Sequence, residues 1–440
     1  MKIKIFSLML MLMFGSSISF RAFSQEKEKL TMDECIKIGL KNSYILHSSK
    51  MNLRYADAKW SEANTFRLPA LSFSASYTKL SKVNPFIVTT PFGKFDISPV
   101  IFDNYNMKIS LQQPVFTGFK LESNSKIAEL NFLASEQQYS ADQSELIYNI
   151  KDAYWGLFKA NQIKKVTEEN VNQVRSHLTD VQNLFKQGLA TKNDVLKVQV
   201  QLGEAQLKLI DAANAVKLAN INLDNVLGIS LTTEIQTEEP AEKQTFLPDD
   251  LSSLLNQAYE KRPELKSMDY KVQASENGIT AAKSDWFPQV YLTGNYNYSR
   301  PNPRILPTQN KFYGTWDVSV SLSLNLWNWG ATIDKTDQAE AQFEQSKDAY
   351  KILKDRITLE VTQNFLNMQK SKEKMSVAQQ SVSQAEENYR ITDEKFKNGL
   401  ALNSDLLDAE VALLQAKTNY IQSVADYQLA AAQLEKSIGK

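Results

Sequence analysis

One cysteine and two histidines serve the whole 440-residue chain. A disulfide framework is excluded, because Cys35 has no partner in the chain. His47 and His177 show no metal-ligand spacing, and neither a nucleophile elbow nor a phosphate loop accompanies them. Enzymatic chemistry therefore has no recognisable seat, and no bound cofactor is expected. A basic excess is missing as well: removing Lys2, Lys4 and Arg21 from the 50 basic residues leaves 47 against 50 acidic ones. Nucleic-acid binding has no electrostatic support. Beyond the amino terminus no run approaches the length of a transmembrane helix.

The amino terminus itself is apolar from Ile5 to Phe14 behind Lys2 and Lys4, and ends Ala22-Phe23-Ser24 before Gln25. That is the pattern of a secretory signal peptide, 1–24, with small residues placed for cleavage after Ser24. Cys35 lies too far along to carry a lipid, and is expected to pack against a neighbouring helix.

What the chain does contain is a duplication. Phe185-Lys-Gln-Gly188-Leu189-Ala190, leading to Asp194-Val-Leu196, returns as Phe396-Lys-Asn-Gly399-Leu400-Ala401, leading to Asp405-Leu-Leu407; Gly188 and Gly399 are 211 residues apart. Residues 120–187 and 331–398 precede these segments and hold no proline and only Gly156. Each would form a rod on the order of 100 Å long. The repeated segment is then the bend of a long helical hairpin. After each bend the helix is about half as long, ending at Gly228 and Gly439 as C-caps. The segments from Thr31-x-x-Glu34 to about Phe66, and from about Asp250 to Asp285, would supply the missing halves as single helices.

The stripe Val195, Val198, Leu202, Ala205, Leu209, Ala212, Val216, Ala219, Leu223, Val226 keeps a strict 3-4 spacing, and Leu406, Ala409, Leu413, Ala416 open its counterpart. This is antiparallel coiled-coil packing. A second stripe, Leu196, Val200, Leu207, Ile210 and Ile221, gives each rod another neighbour, as a closed ring of helices requires.

Four segments alternate with period two. They run Leu71 to Tyr77, Tyr105 to Val115, Val290 to Tyr298 and Trp316 to Leu326, joined in pairs by proline-punctuated loops (Pro85, Pro91, Pro99; Pro301, Pro303, Pro307). Their length and one apolar face suit tilted strands in an outer membrane. A half-buried sheet in a soluble domain is the alternative, and would need an amphipathic covering layer. Four strands cannot enclose a lumen, and an open edge in lipid leaves backbone groups unpaired. Identical chains must combine; two would give a filled interior and three an open pore.

The opening Leu30-Thr31-Met32-Asp33-Glu34, the turns Pro114-Val115-Phe116-Thr117-Gly118 and Leu326-Trp327-Asn328-Trp329-Gly330, and the doubled bend together resemble the outer-membrane efflux proteins, the TolC-like outer-membrane factors of Gram-negative envelopes. The resemblance covers almost the whole mature chain. It implies a mainly α fold with a β-barrel part: a homotrimer whose coiled-coil helices form a periplasmic α-barrel and whose strands, four per chain, form a twelve-stranded barrel in the outer membrane. Two efflux repeats, 25–228 and 250–440, would be joined by a linker, 229–249. It further implies a passive exit duct for efflux or type I secretion, docked at the helix tips on a periplasmic adaptor and an inner-membrane pump. A soluble periplasmic coiled-coil scaffold, or an adaptor protein, is the other reading.

In that family the tips constrict the tunnel. Asp405 and Asp408 match its cation-attracting aspartates, and would form one acidic ring under threefold symmetry. Lys197 stands where Asp408 has its counterpart, so a second ring of paired acids is not expected. Asp405 and Asp194 also suit helix capping. The family's latch residues, a tyrosine and an arginine, are replaced by Phe396 and Ala401 while Asp194 remains. A tip held by packing is the expectation. Gly188 and Gly399 reverse the chain, and Leu189 and Leu400 are candidates for adaptor docking.

Overall fold

The computed structural model describes residues 28–83, 87–96, 101–238 and 250–440. The expected signal peptide, Pro85 and Pro99 of the first loop and residues 239–249 of the expected linker lie outside the described residues.

In chain order the elements are β1 (Glu28–Leu30), α1 (Met32–Asn42), α2 (Tyr44–Thr65), β2 (Ala70–Lys79), β3 (Ile87–Thr90), β4 (Gly93–Asp96), β5 (Asp103–Phe116), α3 (Lys120–Lys186), α4 (Lys192–Leu227) and β6 (Ile235–Thr237). The second half continues with α5 (Leu251–Lys261), α6 (Pro263–Lys283), β7 (Gln289–Arg300), β8 (Tyr313–Ser323), α7 (Ala331–Lys397) and α8 (Asn403–Ser437). Both long rods are 67 residues. With a single glycine and no proline inside them, nothing interrupts the backbone ladder.

The expected single helices 31–66 and 250–285 are each broken. Thr31 forms the predicted capping box, its N–H donating to Glu34 Oε2 at 2.8 Å. After the 11 residues of α1 the chain turns extended at Ser43, whose Oγ accepts from Leu46 N–H at 3.2 Å and caps the next helix. In the second half Arg262 is extended because Pro263 follows it, and Pro263 sits at the first turn of α6.

The breaks explain how the rods are completed. Helix α4 ends at its expected C-cap, Gly228, beside Asn42; α8 ends at Ser437 with Ile438 as C-cap, and the glycine expected there, Gly439, is the next residue, beside Lys261 and Arg262. Only α2 and α6 therefore carry the shorter rods onward, while α1 packs on the flank of α3 and α4, and α5 on α7. Each joint has its own core. Cys35, Leu46, Ile150, Tyr154, Leu223 and Leu227 fill the first; Leu254, Leu265, Ile357, Val361, Leu434 and Ile438 fill the second. Cys35 is fully buried, which pushes its thiol up to about 12 and leaves it an inert packing group, as expected.

Tyr154 donates to the carbonyls of Leu30 and Glu238 at 3.2 and 2.9 Å, beneath the parallel pair β1–β6 that sequence periodicity did not reveal. At the second joint Arg262, 5% exposed, donates to Glu360 at 2.6 Å and to Glu264 at 3.0 and 3.2 Å.

The four long strands form one antiparallel sheet in the order β2-β5-β7-β8. Leu71, Phe73, Val318, Val320 and Leu322 stand exposed on it. Two details depart from expectation: β8 ends at Ser323, so Leu324 and Leu326 lie beyond the ladder, and the first proline-rich loop carries the hairpin β3–β4.

In cross-section the same arrangement recurs at three levels. Near the bends the helices pack in the order α4-α3-α8-α7, above the joints α2-α3-α6-α7, and then comes the sheet. Every level is an open array with one edge from the first half and one from the second.

Gly228 has φ +67°, and a Cβ there would sit 3.1 Å from the Asn42 carbonyl oxygen, whereas Gly203 inside α4 has nothing within 4 Å. Gly228→Val should cost about 1–2 kcal/mol or more through the left-handed backbone and the contact with Asn42. Gly203→Ala should stabilise by about 0.5–1 kcal/mol. Thermal unfolding of the detergent-solubilised protein will show midpoints moving in opposite directions.

Candidate functional site

The two bends lie side by side at one end of the molecule, and their local hydrogen bonds are the same. Helix α3 closes with Gly188 N–H donating to Phe185 O at 3.0 Å and Leu189 N–H to Leu184 O at 2.9 Å; α7 closes with Gly399 to Phe396 at 3.0 Å and Leu400 to Lys395 at 2.8 Å. These are paired Schellman closures, and both glycines take the left-handed backbone they need, φ +76° and +71°. Such closures commonly fold the next side chain back onto the helix. Here Leu189 and Leu400 remain 72% and 76% exposed, so each bend presents a bare leucine to solvent.

The returning helices are capped by the aspartates singled out in the sequence. Asp194 Oδ2 accepts from Thr191 N–H at 3.0 Å and from its hydroxyl, and Thr191 Oγ1 accepts in return from Asp194 N–H at 3.2 Å. The Thr191 hydroxyl, then its backbone N–H, holds the Asp194 carboxyl below the usual aspartate range. In the second bend Leu402 occupies the threonine position, and only half the box survives: Asp405 Oδ2 accepts from Leu402 N–H at 3.1 Å. Asp405 and Asp408 are both exposed, one turn apart on α8.

Phe396 is placed differently from these acids. It is 8% exposed, inside an apolar cluster with Val174, Val181, Val195, Val198 and Leu406, and Ala401 packs against that cluster. The positions at which the resemblance expects a polar latch therefore face the interior of the chain's own tip. In the same seam His177 of α3 meets Glu410 of α8, with Nδ1 3.4 Å from both carboxylate oxygens and the ring edge-on to Phe396 at 5.1 Å. Sequence periodicity missed this pair. The available signal was a histidine at a buried phase of α3 and a glutamate beside Ala409 in the apolar stripe of α8.

Among the described residues no cluster of histidine, cysteine and carboxylate side chains could hold a metal ion, and no helix is long and apolar enough to cross a membrane. A pocket of about 630 Å³ lies between α3, α4 and β6, lined by Lys164, Lys217, Ile221, Leu231 and Ile235. It is far from the bends in sequence and forms no catalytic constellation. What converges at the tip is a pair of exposed leucines, a pair of exposed carboxylates and a buried seam.

The Asp194 cap makes a pH-dependent contribution of known sign. A carboxyl depressed on folding stabilises above its unfolded pKa, and that contribution disappears as pH falls through the lower folded value. Asp194→Asn should cost about 1 kcal/mol at neutral pH. Amide exchange at the start of α4 will report it, with wild type and variant converging at acid pH.

The geometry can now be compared with known proteins. The model of the outer membrane efflux protein family matches residues 36–229 and again 254–440. The chain is 26% identical over 340 residues to the alkaline protease secretion protein AprF of Pseudomonas aeruginosa, spanning 76% of this chain and 69% of that one. It is 24% identical over 315 residues to the outer membrane protein TolC of Vibrio cholerae, spanning 71% and 72%. Among solved structures, CusC superposes with TM-score 0.80 at 17% identity over 93% of this chain and 92% of that one. The outer membrane protein VceC of Vibrio cholerae gives 0.79 at 18% identity over 93% and 96%. Since both hairpins, both strand pairs and the bends that join them fall inside the matched stretches, the chain belongs to the outer membrane efflux protein family, as an outer-membrane exit duct with a periplasmic extension rather than a free-standing scaffold.

Proposed function

We propose that three copies of the chain close head to tail into one continuous tube, which carries substrate from a periplasmic adaptor and inner-membrane pump to the cell exterior. The observation that carries this reading is the repetition of the same open array at every level. Edges α4, α2 and β2 come from the first half, and α7 and β8 from the second. A surface that offers one edge and lacks its complement associates heterologously, and such contacts close only as a ring. Strand β8 runs antiparallel to β2, so a neighbour's β2 continues the ladder in the correct sense. Three chains give the strand number that leaves a lumen.

The helical edges support the same closure. On α4 the second stripe, Leu196, Val200, Leu207 and Ile210, is exposed in the single chain. On α7, Ile352, Leu359 and Leu366 recur every seventh residue and are exposed too. The two stripes lie at different heights, the first near the bends and the second near the joints, and each is an apolar outer edge left for a neighbouring subunit to cover.

The partition into a cleaved leader, 1–24, two repeats, 25–228 and 250–440, and a linker, 229–249, is part of the same proposal. So is the absence of catalysis: the duct is passive, binds no cofactor and takes its energy from the pump. At the tip, Asp405 and Asp408 would attract cations, with Asp194 and Phe396 shaping the bends beside them. Gly188-Leu189 and Gly399-Leu400 would be the surface the adaptor's hairpin grips.

Two measurements test this. In planar bilayers the purified protein should conduct as a trimer with cation preference, and Asp405→Asn with Asp408→Asn should move the reversal potential toward zero. In cells, Leu189→Asp with Leu400→Asp should leave the heat-modifiable trimer intact while cross-linking to the adaptor and efflux fall on the order of tenfold or more. A processed protein that stays monomeric and water-soluble, without affinity for bilayers, overturns the proposal.

A further inference from the structure

The two hairpins of one chain meet at the tip chiefly through α3 and α8. Much of that seam is apolar, and Val174 and Val181 on α3 share a buried cluster with Leu406 on α8. Apolar packing is non-directional, so by itself it leaves two long antiparallel helices free to settle in neighbouring registers. Near the bends one buried directional contact interrupts it, His177 with Glu410, whose side chains are 2% and 0% exposed; the other ion pairs between these helices, Lys151 with Glu435 and Lys436 with Glu145, lie at the far end of α8 and are more open to solvent.

The positions of these two residues are matched. His177 precedes Gly188 by 188 − 177, and Glu410 follows Gly399 by 410 − 399, which is 11 residues in both cases. Helices of equal rise that meet at equal distances from their bends bring the bends level. A slip of one turn would bury the imidazole or the carboxylate against valine or leucine with no partner, a costly outcome for polar groups in so dry a seam. His177 Nε2 and Glu410 Oε1 already lack a hydrogen-bond partner among the described residues.

We propose that His177 and Glu410 are positioning residues, a buried register lock that keeps Leu189 and Leu400 level and holds the resting diameter of the tip. The proposal rests on the reading of the bends as the closed end of the duct. It replaces pure packing as the account of a tip that carries Phe396 and Ala401 at the latch positions. Tyr389 of α7 packs beside the pair, its hydroxyl pushed above the usual tyrosine range by burial, and Phe396 supplies the aromatic wall. A buried polar pair of this kind can specify register even where it adds little to stability.

The test uses the full-length trimer in planar bilayers, with its heat stability measured in parallel. Wild type should rest closed. Glu410→Ala should raise the resting open probability on the order of tenfold. His177→Leu with Glu410→Leu keeps the seam apolar and should leave the trimer's heat stability unchanged, yet leak as Glu410→Ala does, which a merely structural pair would not do. The exchange His177→Glu with Glu410→His should restore closure. A double-leucine variant as tightly closed as wild type, or an exchanged pair that leaks, overturns the lock while leaving the duct reading intact. A wild-type protein that forms no channel removes both.

Discussion

The constraint that organises this molecule is the backbone's need for hydrogen-bond partners where water is absent. Four strands with exposed leucine, valine and phenylalanine on one face belong in hydrocarbon, and there the outer N–H and C=O groups of β2 and β8 have no solvent to turn to. Closing the ladder with further copies satisfies them. The helical rods inherit the consequence: whatever symmetry closes the sheet must also close the helices beneath it, and their edges fall to the same halves of the chain.

The duplication meets that demand economically. Each half supplies two strands and a hairpin, and the joints in the rods appear at corresponding places, Ser43 and Arg262. The local chemistry at corresponding positions differs. Thr191 completes a cap that Leu402 cannot, and Lys197 opposes the charge that Asp408 supplies. Copies that share a backbone plan have thus acquired different tips.

Much of this was legible in the residues. The 211-residue offset, the proline-free rods and the 3-4 stripe named the hairpins, and the stripe positions Val195, Val198, Ala205, Leu406, Ala409 and Leu413 are buried in the structure. Period-two alternation found all four long strands, since a pleat with one face in lipid writes its period directly into the sequence. The joint at Arg262 was announced by Pro263, which forces its predecessor extended, whereas Ser43 has no proline after it and is marked only by its cap on Leu46, a role that a serine within a helical stretch does not advertise. The pair β1–β6 escaped because a three-residue strand is too short to show a period. The end of β8 at Ser323 escaped because alternation continues through Leu324 and Leu326 after the ladder has stopped. The contact of His177 with Glu410 joins residues 233 positions apart, and one sequence carries no record of such a meeting.

The two rod joints have a consequence for how the halves respond to their surroundings. The first is clasped by Tyr154 reaching two carbonyls under a short parallel ladder, an arrangement of neutral groups. The second is clasped by a guanidinium between two carboxylates that remain roughly a third open to solvent. Mobile ions reach the open sides of the two carboxylates and weaken the latter modestly, while the former has no charge to screen. The two joints of one chain, alike in position, are therefore unlike in what can loosen them: the second alone depends on ionic strength.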